Sequence, residues 1–368
     1  MELEIECKKI NNDENIVGEL QRSNKPILIY GCANHAELVW EYLDAHDLKT
    51  EAFIVDSLYF NENQYIKSIP VKNIQDYLPK IGQYNIVLGF CDVDKSKFIL
   101  NNMPLLKCQF YLLWEPYEAY EWNEEYITNN LDAFREVYRN LADTRSKRIL
   151  NELINAKLNV SGKKILELAD SKQYFNELTF CADSEEEIFV DCGAFNGDTI
   201  LKYVSFTDGI YRKIYAFEPN DENVMKLREN TKYLSGIEII NKGTWRKEGE
   251  LEFEENGSAS QIVQEGKVKI PVITIDEAVK EEKVTFIKMD VEGSELESLE
   301  GAEKTIRRNM PKLAICCYHK RDDIVNLFHY IKRFSNETIE YRFYLRHHSN
   351  SVYETVLYAV PVKRYMDN

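Results

Sequence analysis

No run of apolar residues in this sequence approaches the ~20 that a bilayer-spanning helix needs, so a membrane-inserted segment is not expected. The opening stretch MELEIECKKINNDENIV lacks the apolar core of a secretory signal, which points to a cytoplasmic protein. Positive charge is also scarce. Lys plus Arg number 46 against 62 for Asp plus Glu, a formal net charge of −16. Affinity for nucleic acid rests on clustered Lys and Arg, so this balance argues against a general nucleic-acid partner and against anionic membrane surfaces. The eight cysteines include no Cys-x-x-Cys pair, which argues against a zinc ribbon or a redox dithiol; they read as reduced thiols. There is no internal repeat, no low-complexity tract and no Pro/Gly-rich linker. What is present, 44% hydrophobic residues over 368 positions, suffices for packed cores in two or three domain-sized units.

Residues 1–115 read as a small Rossmann-like α/β domain. Lys25–Tyr30 (KPILIY) is a short apolar run ending at Gly31, followed by Ala36, Leu38, Val39 and Leu43 at helical spacing. EAFIVD (51–56), YNIVLGF (84–90) and CQFYLLW (108–114) are further strand candidates. Asp56 falls where a dinucleotide fold keeps its ribose carboxylate, but Gly31-Cys32-Ala33-Asn34-His35 has one glycine where that fold has three. Nucleotide binding is therefore one reading of this domain. The other is a module for packing, acceptor recognition or dimerisation, the chain then forming a homodimer. His35 reads as a capping or solvated residue. Residues 116–180 place Tyr, Leu, Phe and Val at three- and four-residue spacings and read as a helical connector of two or three amphipathic helices.

Residues 181–368 carry the chemistry. Ile188-Phe189-Val190 ends a strand at Asp191, and Gly193 and Gly197 bracket a tight loop before a helix opening near Thr199. A glycine loop between strand and helix lets backbone N–H groups approach a ligand. A phosphate would be repelled by Asp191 and Asp198, whereas the ammonium and sulfonium of S-adenosylmethionine would be favoured. Glu218 closes the next strand, IYAF, and can accept hydrogen bonds from two ribose hydroxyls. The small polar loop ENGSASQI (255–262) offers Ser258 and Ser260 to the same cleft. VTFIKM leads into Asp290-Val291-Glu292-Gly293 and one helix, SELESLEGAEKTIRR; PKLAICC leads into Tyr318-His319-Lys320. Parallel strands present these carboxyl ends on one edge. A DxE pair there holds the acceptor, orients the cofactor or ligates a divalent cation through oxygen. His319 is the histidine best placed for proton transfer, with an ordinary pKa near ~6.5. His347 and His348 lie in HHSNS, read as a polar hairpin turn between two final strands.

Taken together, DCGAFNGDT, YAFEP, the GSAS loop, FIKMDVEGSELESLEGA, PKLAICCYHK and the terminal RHHS…ETVLYA resemble the FkbM-type S-adenosylmethionine-dependent methyltransferases, over residues about 160–360. The resemblance implies a class I methyltransferase domain, a Rossmann-like seven-stranded sheet, with O-methylation of a hydroxyl on a sugar of a glycan, polysaccharide or secondary metabolite. It puts Asp191, Gly193, Ala194, Asn196, Gly197, Asp198 and Glu218 on the cofactor motifs; Thr199 at the helix start joins them. It puts Asp290, Glu292 and His319 on the family's later motifs, where the chemistry suggests catalytic roles. His319 or Asp290 would take the hydroxyl proton, or a cation on Asp290 and Glu292 would lower its pKa. The competing reading is an inactive methyltransferase-like domain that binds a glycan or nucleotide sugar. Intact Asp191, Gly193, Gly197 and Glu218 speak against it.

Overall fold

The computed structural model describes residues 16–102, 108–114, 122–180, 184–254, 261–262 and 268–363. Contacts divide the described residues into two units. The first draws on Met1–Tyr138, Thr144–Ser171 and Arg346–Glu354, the second on Arg139–Asp143, Lys172–Leu345 and Thr355–Asn368. No helix among the described residues is long and apolar enough to cross a membrane.

In the first unit, α1 (Ile16–Ser23) precedes β1 (Ile27–Tyr30), α2 (Asn34–Ala45) and β2 (Thr50–Val55); β3 (Tyr65–Ile66), β4 (Ile69–Asn73), β5 (Asn85–Leu88), α3 (Val93–Asn102) and β6 (Gln109–Tyr111) follow. They form one sheet in the order β3-β4-β2-β1-β5-β6, parallel except for the β3–β4 hairpin. The hairpin carries no apolar run and was not legible as strand. All four residues of β1 are buried because both faces of a parallel sheet are covered. Ile27 and Ile29 pack with Val39 and Leu43 on one face, Leu28 and Tyr30 with Ile54 and Ile86 on the other. Asp56 is engaged within the protein: the Tyr30 hydroxyl donates to it at 2.6 Å and the Lys95 ammonium at 2.6 Å. His35 does not cap α2, whose N-cap is Ala33; it is partly buried, and burial pushes its imidazole down to about 4.

Among the described residues the middle of the chain forms α4 (Glu124–Asn129), α5 (Leu131–Asn140) and α6 (Thr144–Asn159), within the expected two or three, and a further short helix, α7 (Lys163–Leu168), follows. Asn123 caps α4 by accepting from the Tyr126 N–H, and Ile149, Leu150, Leu153 and Ile154 make the buried stripe of α6.

The second unit contains β7 (Ile188–Cys192), α8 (Asp198–Phe206), β8 (Lys213–Phe217), α9 (Asp221–Thr231) and β9 (Ile237–Ile240). After them come β10 (Gly243–Thr244), β11 (Gly249–Glu254), β12 (Gln261–Ile262), β13 (Val268–Ile273), α10 (Ile275–Val279) and β14 (Phe286–Met289). The chain ends through α11 (Glu295–Glu300), α12 (Glu303–Asn309), β15 (Lys312–Cys316), α13 (Asp323–Lys332), β16 (Ile339–His347) and β17 (Thr355–Lys363). Seven strands pair in the order β16-β17-β15-β14-β7-β8-β9, with β17 antiparallel to β15. This is the class I methyltransferase sheet.

Three features depart from expectation. A second sheet, β10-β13-β11-β12, takes the end of what reads as one strand over 236–245. The single helix expected over 294–308 breaks at Gly301, where a Cβ would lie 2.1 Å from the Trp245 carbonyl oxygen. The HHSNS turn is buried rather than a solvated polar turn. Asn350 donates to the Phe90 carbonyl and the Ser96 hydroxyl, and His348 Nδ1 lies 3.2 Å from Asp170 Oδ1. His347 and His348 thus serve the packing of the first unit and do not join the site described below.

Candidate active site

β8, β7, β14 and β15 run parallel, with Phe217, Cys192 and Met289 in register and Ile315 opposite Met289. Their carboxyl ends therefore release Glu218, the Gly193–Gly197 loop, Asp290 and the segment leading to His319 along one edge. Strand order reverses at β7, which has its successor β8 on one side and β14 on the other. Such a switch point is where open α/β sheets bind ligands.

The glycines of the loop answer to packing. Gly193 has φ +79, and a Cβ there would sit 2.0 Å from the Asp290 carbonyl oxygen; Gly197 has φ +87 and abuts Leu227. The loop does not present its N–H groups to a ligand as expected. Those of Gly193 and Ala194 donate to the Phe217 carbonyl, that of Gly197 to Ala194 and that of Phe195 to Glu218. The N–H of Asp198 donates to the side chain of Asn196. The turn is so tight that it closes on itself and on the end of β8.

Asp191 was expected to face the cofactor, yet its side chain has no exposed surface. It lies beneath the loop with Oδ1 3.0 Å from the buried Lys288 ammonium, which also donates to the carbonyls of Gly193 (2.8 Å) and Cys192 (3.2 Å). Burial pushes the Asp191 carboxyl up, to about 6, against the pull of Lys288; the same pair keeps Lys288 charged. Asp198 is half exposed and bridged to Lys202 one turn along α8, while Ala194 and Thr199 are buried. Ser258 and Ser260 lie outside the described residues.

Glu218 sits where it was expected, 6% exposed. Its Oε2 accepts from Phe195 N–H (2.9 Å) and its Oε1 from Asn220 N–H (2.9 Å) and the Asn223 amide (3.3 Å). A carboxylate offers about four acceptor sites, so one is left for a ligand hydroxyl.

Beyond β14 the chain turns through Glu292, a non-glycine residue at φ +53 that leaves its side chain half exposed. Asp290 is clamped by two phenols: Tyr318 donates to Oδ1 and Tyr174 to Oδ2, each at 3.1 Å. Burial would raise its carboxyl, but Lys288, His319 and the two hydroxyls outweigh this and hold it below the usual carboxylate range. His319 Nε2 is 3.5 Å from Asp290 Oδ1 and 3.5 Å from Glu292 Oε2, and Nδ1 is 2.9 Å from Glu295 Oε1. Burial would lower its imidazole; Glu295, Asp290 and Glu292 more than reverse this and push it up to about 10. His319 is thus cationic at neutral pH, not the free base its ordinary pKa suggested.

The structure therefore brings together Glu218, Asp290, Glu292 and His319 at the sheet edge, and sets Asp191 and Asp198 apart. Sequence reasoning missed Lys288, Tyr174 and Glu295. Lys288 carried a signal, a lone charge inside the apolar strand FIKM, which is almost never buried unpaired. Glu295 was one of several acids in the helix SELESLEGAEKTIRR, and Tyr174 had no signal at all.

Residues 191–351 match the family model described as Methyltransferase FkbM domain. The chain is similar to a hexuronic acid methyltransferase, AglP, of Haloferax volcanii, 32% identical over 102 residues; the match covers 26% of this chain and 43% of that relative, less than half its length. The fold matches the crystal structure of methyltransferase FkbM from Methylobacillus flagellatus KT with a TM-score of 0.65 at 22% identity, over 93% of this chain and 92% of that one. Residues 191–351, less than half of the chain, carry the likeness to the methyltransferase FkbM domain.

Proposed function

We propose that the protein transfers a methyl group from S-adenosylmethionine to a hydroxyl oxygen of a sugar, in a glycan, polysaccharide or secondary metabolite. The observation that carries this reading is the row of carboxylates at one sheet edge, with Glu218 beside a loop in which the N–H groups of Gly193, Ala194, Phe195, Gly197 and Asp198 are already paired. A phosphate ligand asks for free N–H donors or cations. Ribose hydroxyls ask for acceptors, and a sulfonium for nearby negative charge. The donor set therefore fits S-adenosylmethionine, with Glu218 toward the ribose.

When bound, that cofactor supplies an electrophilic methyl group; the acceptor oxygen forms the new C–O bond as the S–C bond breaks, leaving S-adenosylhomocysteine and a proton. The chain's task is to align the acceptor and receive that proton. Asp290, ionised and fixed by Tyr174 and Tyr318, is the group to accept it. His319 holds Asp290 and Glu292 in place. Hexuronic acid, named for the Haloferax volcanii relative, is the acceptor to try first.

Native mass spectrometry should find bound S-adenosylmethionine or S-adenosylhomocysteine, and label from the methyl group should appear in a hexuronic-acid glycan. Asp290→Asn should slow transfer roughly 10²–10⁴-fold, the usual cost of losing a general base, with cofactor affinity nearly intact. A protein that takes up neither form of the cofactor would refute the proposal.

A further inference from the structure

We propose that Asp290, Glu295 and His319 form a binding site for one divalent first-row cation such as Mn²⁺. Among the described residues, one donor atom from each of these three side chains lies within 4.8 Å of the others. Glu292, the acid that sequence reasoning pairs with Asp290, is not in this set.

Acidic residues often cluster without a cation; this cluster holds a buried carboxylate oxygen with no partner. Glu295 is fully buried at the start of α11, and its Oε2 has no hydrogen-bond partner although water does not reach it. His319, with a side chain only 10% exposed, brings Nδ1 to 2.9 Å from the other oxygen, Glu295 Oε1. Buried polar atoms are rarely left without a partner, because an unmade bond costs about 1–3 kcal/mol each. Two donors at right angles around one ion, each about 2.1 Å from it, stand about 3 Å apart, close to the observed spacing.

The surroundings are those of a held ligand set. Tyr174 and Tyr318 donate to Asp290, and the Val291 N–H donates to Glu295 Oε1 at 3.0 Å. Such outer partners orient ligands around metals. One nitrogen and two oxygens suit Mn²⁺, Fe²⁺, Co²⁺ or Zn²⁺ better than the all-oxygen preference of Ca²⁺ or Mg²⁺. Three protein ligands leave coordination positions open, as in catalytic rather than structural sites. On binding, the ion takes the place of a ring proton of His319. Resting on the proposed methyl transfer, an open position facing the acceptor would polarise its hydroxyl.

The test is a titration of the full chain, stripped with chelator, with Mn²⁺ and without cofactor or acceptor. Calorimetry should show one site, and pulsed electron paramagnetic resonance should show ¹⁴N coupling from an imidazole. Glu295→Gln should weaken Mn²⁺ at least tenfold, Tyr174→Phe by about 10–100-fold as the loss of an outer partner does, and Glu292→Gln should leave affinity within a few fold. No stoichiometric uptake, bound Mn²⁺ without ¹⁴N coupling, or full affinity in folded Glu295→Gln would overturn the site. The spectroscopic result needs no variant, so a misfolded one cannot blur it. The titration does not involve methyl transfer, so either proposal can fail while the other stands. Full transfer activity after exhaustive chelation, with Mn²⁺ binding demonstrated, would remove only the ion's part in the reaction.

Discussion

Replacing Glu218 by alanine tests two roles at once, because the structure shows this carboxylate doing more than the sequence suggested. It accepts from two backbone N–H groups, Phe195 and Asn220, and from the Asn223 amide. Truncation leaves those donors facing an apolar methyl group. An unsatisfied buried donor costs about 1–3 kcal/mol, and water entering the vacated space offsets part of this, so a loss of roughly 2–4 kcal/mol is expected. For a unit of this size that is a fall in melting temperature of about 5–15 °C. Separately, in the proposed cofactor site the ribose hydroxyls would lose a charged acceptor worth about 1.5–3 kcal/mol, so affinity for S-adenosylhomocysteine should drop about ten- to a hundredfold. Calorimetric titration reads the second effect and thermal melting the first. Glu218→Gln keeps one acceptor oxygen and should fall between wild type and alanine in both. If the alanine variant melts early but binds with full affinity, Glu218 is a strut for the loop and no part of the cofactor site. If neither quantity moves, the hydrogen-bond reasoning itself is wrong.

Lys288→Met should destabilise the protein by about 3–5 kcal/mol, because it strands the Asp191 carboxylate in a dry interior. Chemical denaturation of this variant beside Asp191→Asn/Lys288→Met checks the cause: the double variant should recover much of the loss, and equal stability of the single variant and wild type would refute it. The Asp170 carboxyl gives a pH dependence. Burial would raise it, but His348 and Arg145 outweigh burial and hold it well below the ordinary carboxylate range. A depressed folded pKa stabilises fully above the unfolded value, near ~3.9, and the benefit is lost as pH falls from there through the folded value. Asp170→Asn should therefore be less stable than wild type near about pH 7, with the gap closing below about pH 4. A gap that is constant across the acid range would count against the ion pair.

Much of the architecture was legible because strong local signals agreed with the final packing. The apolar runs ILIY, IFVDC, IYAF, FIKM and KLAIC lie in both-face-covered parallel strands, where continuous hydrophobicity is required, and each is a strand in the structure. The placement of Glu218 and Asp290 at strand ends followed from the same pattern, since parallel strands share one carboxyl edge. The seven-strand order followed from the motif ensemble rather than from any single run. Tertiary structure decided what each group at that edge can do. Asp191 reads as a strand-end acid just as Glu218 does, but it lies within β7 and its carboxylate is buried in the protein, where a lysine from the neighbouring strand meets it. The N–H groups of the glycine loop are spent on Phe217 and Glu218, which no local rule foretells. The charge of His319 is set by three carboxylates, one of them at the buried start of a helix that holds several acids. The burial of HHSNS depends on partners some 180 to 260 positions away, Asp170 and Phe90 among them. Strand identity is written in neighbouring residues because burial on a sheet has a short period along the chain. Protonation, pairing and access depend on which distant groups come within a few ångströms, and the folded chain alone brings those together.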